Sequence, residues 1–192
     1  MTATPHPDLS PAEYLALDRA SDLRYEYGSG LVLAMSGGTV RHSAMISELA
    51  RLLGNALDQR PCLVTSNALR LEAVRDRAYF YPDIMVTCGA LQYADGHTDR
   101  ITNPTVIVEV LSDATERWDR IGKFIEYCRV QSLREYVLVS QHELVIERYT
   151  RREGDEWLYH VASGPEAVCQ FESISVELPL AAISRKATLL TP

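Results

Sequence analysis

Hydrophobic positions recur along this chain in two rhythms, one of three and four residues and one of two, and the changes of rhythm outline the elements. From Thr39 to about Arg60, Met45, Leu49, Leu52, Leu53, Ala56 and Leu57 form one helical stripe that also contains His42. From about Thr115 to Val130 a second helix is predicted, with Trp118, Ile121, Phe124, Ile125 and Cys128 as its apolar side. "DLSPAEYLALD" reads as a helix start, with Ser10 as N-cap, Pro11 in the first turn and Glu13 three residues after the cap.

Strand-forming runs fill the intervals. "LRYEYGSGLVLAM" predicts a hairpin around "GSG", in which Arg24 and Glu26 face away from Tyr25 and Tyr27. "CLVTS", "ALRLEAV", the run through "YFYPDIMVTC", and "TVIVEVLS" follow as strands, then "EYVLVS", "LVIERYT" and "EWLYHV" after the second long helix. "GALQYADGHTDRITNP" is polar, punctuated by Gly and Pro, and reads as an exposed loop, and "SRKATLLTP" as a loose tail. Strands on both sides of a long helix predict a mixed sheet covered by helices, an α/β or α+β arrangement. No repeat or composition break divides it, so one domain spanning residues 1–192 is expected, with a helix and hairpin at the N-terminus and a strand-rich C-terminal extension.

The composition narrows the functional classes. Of 192 residues, 46% are hydrophobic and 23% charged, as in a folded globular chain, and the formal net charge of -7 argues against gripping nucleic acid by bulk electrostatics. A local basic region formed by Arg70, Arg75, Arg77 and Arg117 remains open, as does their being a solvated face. The four cysteines lie far apart and read as core residues in a reducing compartment. With no leader-like start and no membrane-length apolar window, a cytoplasmic protein without membrane partners is expected.

Two carboxylates break the pattern. Glu109 sits inside "PTVIVEVLS", sharing one strand face with Ile107 and Leu111 while Val106, Val108 and Val110 take the other, so neither face offers it water. Asp83 follows Pro82, which belongs at a strand start or edge, and so sits where a strand emerges. An unpaired carboxylate in such a place costs several kcal/mol. Two acids at the ends of neighbouring strands point to a shared divalent cation, and the competing explanation is a structural ion pair with Arg70, Lys123 or another cation.

With these residues in place, the chain resembles the Uma-type family of putative restriction endonucleases, a bacterial group of the PD-(D/E)xK nuclease superfamily. The resemblance rests on "RYEYGSGLVLAMSGG", a histidine opening a helix, "YPDIMV", "PTVIVEVLS", a threonine before "DRIGKFIEY", and "EYVLV". It implies a restriction endonuclease-like fold, with a central mixed sheet flanked by helices. It also implies Mg²⁺, with Mn²⁺ as substitute, held by Asp83, Glu109 and the main-chain carbonyl of Val110. The superfamily's Glu-x-Lys pattern is broken, because Leu111 stands at the lysine position. The family's alternative, a lysine on the following helix, matches Lys123.

On a helical wheel Lys123 falls with Asp119 and Tyr127 on the side away from the Trp118, Ile121 and Ile125 stripe, the pattern of a surface ion pair, while Gly122 would allow close approach to the sheet. His42, at a helix start, is either a neutral imidazole able to accept a hydrogen bond or bind metal, or a satisfied core histidine. Glu26 is either a further carboxylate at the cleft or the partner of an arginine. The implied activity is Mg²⁺-dependent hydrolysis of DNA phosphodiester bonds by Asp83, Glu109, Lys123, Glu26 and His42, in a homodimer. The alternative is a catalytically inactive nuclease-like domain with a nucleic-acid or protein-binding role. A glycosidase-type acid pair is disfavoured, since the tyrosines fall at positions expected to pack.

Overall fold

A computed structural model of the chain describes residues 9–186, apart from 29, 36 and 95. Residues 1–8, at the chain start, and most of the tail read as loose, from residue 187, therefore lie outside the described residues.

The N-terminal reading holds in detail. Helix α1 (Pro11–Ala20) opens on a capping box between Ser10 and Glu13, and the hairpin follows as β1 (Tyr25–Gly28) and β2 (Leu31–Ala34). Tyr14 packs against Tyr27 and Tyr79 in a small aromatic core. Helix α2 (Val40–Leu57), with Thr39 as its N-cap, buries Met45, Leu49, Leu53 and Leu57 from the predicted stripe, while Ala56 stays exposed.

Two six-stranded sheets form the centre. The first runs β2-β1-β5-β4-β8-β7, where β4 is Arg70–Val74, β5 Ala78–Phe80, β7 Tyr93–Ala94 and β8 His97–Ile101. The second runs β12-β11-β10-β9-β6-β3, where β3 is Cys62–Ser66, β6 Ile84–Cys88 and β9 Val106–Leu111, followed by β10 (Glu135–Ser140), β11 (Val145–Arg151) and β12 (Trp157–Ser163). The second sheet is mixed: β9 pairs in parallel with β10 and antiparallel with β6. A short hairpin of β13 (Val168–Phe171) and β14 (Val176–Pro179), then helix α4 (Leu180–Ser184), close the C-terminal side.

The second sheet carries a core on each face. Ile84, Val86, Val106, Val108, Val110, Val137 and Val139 pack under α2, α4 and the β13–β14 hairpin. Met85, Ile107, Leu111, Tyr136 and Leu138 pack toward the first sheet and toward Tyr127. Apolar burial on both faces explains the unbroken β-branched run around Glu109.

Four expectations need correction. The run "YFYPDIMVTC" is two strands in two different sheets: Pro82 has no N–H to offer a ladder, and the chain crosses between sheets there. The polar loop before β9 contains β7 and β8, and Arg100 and Ile101 in it are buried against β4. Two of the four cysteines are joined, because Cys62 and Cys88 are directly opposite each other on β3 and β6 and form a disulfide; Cys128 and Cys169 are free.

The fourth concerns the second long helix. It is a π-helical turn (Trp118–Lys123) running into a short helix α3 (Phe124–Tyr127), turned over relative to the wheel. Ile121 and Ile125 are 55% and 49% exposed, while Asp119, Lys123 and Tyr127 are buried. A widened turn with bonds from i to i+5 departs from the angular step the wheel assumes. Gly122 is needed here for a local reason: a Cβ on it would lie 2.1 Å from Trp118 Cε3. No helix among the described residues is long and apolar enough to cross a membrane.

Candidate active site

Asp83 and Glu109 come together at one end of the second sheet. Glu109 lies in the central strand β9, and Asp83 stands just before β6, the strand paired with it. The main chain ties each acid to the other's segment: Asp83 N–H donates to Glu109 Oε2 at 3.0 Å, and Val110 N–H donates to Asp83 Oδ2 at 2.8 Å. Both side chains line a cavity of about 580 Å³.

Lys123 reaches the same place from the helix after β9. Its ammonium lies 2.9 Å from Glu26 Oε1, 3.0 Å from Glu109 Oε1 and 3.0 Å from Asp119 Oδ1. An ammonium has three N–H donors, and here three carboxylates take them. Tyr127 adds a fourth element by donating its hydroxyl to Glu109 Oε1 at 3.0 Å. The ion pair read as a surface feature is therefore internal. Leu111, at the superfamily's lysine position, is packed among apolar side chains.

Glu26 enters from β1, and its partner is Lys123 rather than an arginine. It also accepts from Tyr81 N–H and Trp118 Nε1–H, both at 3.1 Å. Arg70, the competing partner for a structural ion pair, is instead occupied by Asp18, Asp99 and the Tyr81 hydroxyl. Arg77 pairs with buried Glu126, while Arg75, beside Asp76, stays largely exposed, so two of the four arginines considered for a basic region are engaged with buried acids.

His42 comes from the first turn of α2. Its Nε2 lies 2.8 Å from the Val110 carbonyl and 3.3 Å from Asp83 Oδ2. A carbonyl only accepts, so Nε2 carries the proton in this arrangement. Burial alone would lower the His42 pKa, yet hydrogen bonds to Asp83 and Val110 and the charge of Asp83 raise it overall. The Asp83 carboxylate thus works against the neutral form that a helix start favours.

The electrostatics are those of crowded acids. Burial, then the charges of Asp119, Asp83 and Glu26, hold the Glu109 carboxyl well above the ordinary range against the opposing pull of Lys123. Burial raises Glu26 and Asp119 too. Lys123 is pushed down by burial but held well above its usual value by the three carboxylates. Four acids face one ammonium and one imidazole, a negative excess that invites either protons or a cation.

The oxygen donors here are of the kind that hard divalent ions such as Mg²⁺ take, although both Glu109 oxygens already accept from Lys123, Tyr127 and the Asp83 N–H. Such ions take oxygen ligands, few of them from protein, and the site offers two carboxylates and a carbonyl. Asp83 Oδ2 and the Val110 oxygen converge on one point, now contacted by the positive edge of His42. Among the described residues no three His, Cys, Asp or Glu side chains are arranged to hold an ion by themselves.

Comparison with known proteins places the chain. The family model for Uma2, described as "Putative restriction endonuclease", matches residues 11–182. The chain belongs to the Uma2 family. Two uncharacterised proteins of Synechocystis sp. are similar to this Uma2 chain. One is 36% identical over 156 residues, covering 81% of each chain, and the other is 29% identical over 168 residues, covering 88% of this chain and 95% of the relative. A crystal structure of a putative nuclease belonging to DUF820 from Anabaena variabilis superposes with a TM-score of 0.76 at 17% identity, covering 92% of this chain and 97% of that one. That likeness carries the fold, a restriction endonuclease-like architecture of mixed sheet and flanking helices.

Asp119, Tyr127 and Gln141 also line or brace the cavity and were not singled out as site residues. Asp119 and Tyr127 had a signal, the i, i+4 series with Lys123, which was read as the outer face. Gln141, just after β10, had none.

Proposed function

We propose that this protein is a divalent-metal-dependent endonuclease that hydrolyses DNA phosphodiester bonds. The observation that carries the reading is the position of Lys123: the strand lacks the superfamily lysine, yet an ammonium from the next helix stands 3.0 Å from Glu109, and Asp83 is tied to that same acid.

Asp83, Glu109 and the Val110 carbonyl would hold Mg²⁺ or Mn²⁺, which when bound supplies polarisation of a phosphoryl oxygen and a more acidic water. Lys123 serves as a fixed counter-charge to the phosphoryl group and holds Glu109 in place through Oε1. When one of its three acceptors turns away, the freed N–H becomes a donor to the attacking water. Glu26 and Asp119 keep that ammonium charged and in position. His42 positions Asp83 and the Val110 carbonyl through Nε2.

The acidic lining restricts how DNA is engaged. A homodimer is part of the proposal: β12 is an edge strand that exposes Leu158, Tyr159 and Val161, carries no lysine, proline or acid, and suits antiparallel pairing with a second copy. Sedimentation of the purified chain reads that state directly.

A second reading has its own observation. All three Lys123 donors are already taken, and His42 stands at the point where Asp83 and Val110 converge, so the site is closed upon itself, as an inert nuclease-like binding domain would be. Cleavage screens on DNA and RNA with Mg²⁺ and Mn²⁺, with Asp83→Ala as control, decide between them. Metal-dependent cleavage lost in the variant supports the nuclease. No cleavage, with no thermal shift on adding either metal, supports the inert domain.

A further inference from the structure

The cavity has an end that the acid cluster does not use. Thr39, the N-cap of α2, accepts from His42 N–H at 3.1 Å, and its own hydroxyl donates to Gln141 Oε1 at 3.3 Å. That bond orients the Gln141 amide, because with Oε1 turned to Thr39 the NH₂ is the end left over. Gln141 is only 6% exposed, lines the cavity, and has no partner for Nε2 among the described residues. The NH₂ group therefore offers the cavity two N–H donors that a ligand oxygen could accept.

The same end is formed by the start of an 18-residue helix with no acid in its first turn. Its leading N–H groups have no acceptor within the helix and carry the positive end of its dipole. Gly37 and Gly38 precede it and place no side chain over that terminus; a Cβ at Gly37 would meet nothing within 4 Å, and one at Gly38 would lie 2.7 Å from His42 Nδ1. His42 spans the two ends of the cavity, its main chain at the Thr39 cap and its ring at Asp83. Donors at one end therefore stand one side chain's length from the carboxylates at the other.

We propose that the N-terminus of α2 and the Gln141 amide form a subsite for a non-reacting phosphodiester of the nucleic-acid strand, next to the phosphate that lies at Asp83 and Glu109. This rests on the nuclease reading and deepens it. Neutral donors and a helix dipole suit a singly charged diester in a cavity already rich in acids, and they contact the backbone without reading bases.

The test is a titration of the full-length protein with dimethyl phosphate in the presence of Mg²⁺, followed by amide NMR. The Gln141 side-chain pair, assigned by its absence in Gln141→Leu, is expected to shift together with the amides of Val40 and Arg41. Gln141→Leu is expected to weaken the titration about tenfold, the scale of one hydrogen bond to a charged group. Gln141→Glu keeps an acceptor for Thr39 but faces the diester with a negative charge, and is expected to abolish the shift while preserving the α2 cap signals. Weakened binding in Gln141→Leu and lost binding in Gln141→Glu, with intact folds, support the subsite. Wild-type binding by Gln141→Glu, or shifts confined to other residues, overturns it. Cleavage without these shifts removes the subsite and leaves the nuclease, whereas shifts without cleavage in any metal leave a phosphodiester site and remove the nuclease.

Discussion

Lys123 Nζ and Glu109 Oε1 lie 3.0 Å apart, bridging a helix and the central strand in a place where both side chains are buried. The ammonium is also shared by Glu26 and Asp119, so removing it leaves three acids without their common counter-charge.

Lys123→Met is therefore expected to cost about 3–5 kcal/mol of stability at neutral pH, the scale for orphaning a buried partner. The loss should shrink toward pH 5, where the carboxyls are neutral without help. Urea denaturation at the two pH values checks this, and an equal loss at both would show that packing rather than charge sets the effect. Cleavage by Lys123→Arg, which keeps the charge, should exceed that by Lys123→Met.

The raised carboxyls also fix how the intact protein responds to pH. Glu109, Glu26 and Asp119 hold their protons in the folded state above the pH at which the unfolded chain releases them. Between the ordinary carboxylate value and the raised ones, the folded state binds more protons, so stability falls as pH rises. His42, raised as well, acts in the same sense, and Lys123 keeps its charge throughout. Without metal, Tm is expected to fall as the pH rises above the ordinary carboxylate value. Excess Mg²⁺ should restore more of it at the higher pH, because the cation takes the place of protons at the same oxygens. A metal increment that does not depend on pH would mean that the ion binds away from these acids.

Much of this arrangement was legible in the sequence, for reasons that differ by element. The α2 stripe and the N-terminal hairpin were readable because local periodicity and turn chemistry decide them. The pairing of Asp83 with Glu109 was readable because a carboxylate in an apolar run demands a partner. The helix after β9 was misread for a physical reason: Ile121 and Ile125 made a plausible inner face, but burying three acids around one lysine and seating Trp118 over Gly122 turns that face outward. Long-range placements left no local trace. Arg70 spends its charge on Asp18, 52 positions away, and Gln141 meets Thr39 across 102 positions.

His42 gives a test that needs no substrate. Its pKa is raised because the Asp83 carboxylate and the Val110 carbonyl outweigh burial. In Asp83→Asn the amide keeps the shape but drops the charge, so burial should prevail and the His42 pKa should fall below that of the wild type. NMR titration of the imidazole signals reads the change, and an unmoved pKa would exclude Asp83 as its source. The same variant should lose metal-dependent cleavage.

Gly122→Ala probes the joint between helix and acid cluster from outside the chemistry. An added methyl would stand 2.1 Å from Trp118 Cε3, so the indole must leave its place. The indole donates to Glu26 Oε2 at 3.1 Å and packs edge-on to Phe80. Displacing it removes a donor from a buried carboxylate that already sits above its ordinary pKa, and it loosens the wide turn that carries Lys123 inward. Overpacking of this kind costs about 1–3 kcal/mol. The expected result is a lower Tm with an altered tryptophan emission maximum, together with a loss of cleavage rate larger than the loss of Mg²⁺ affinity, since Asp83 and Val110 are untouched. An unchanged emission spectrum with wild-type stability would show that the turn accommodates the methyl without moving the ring.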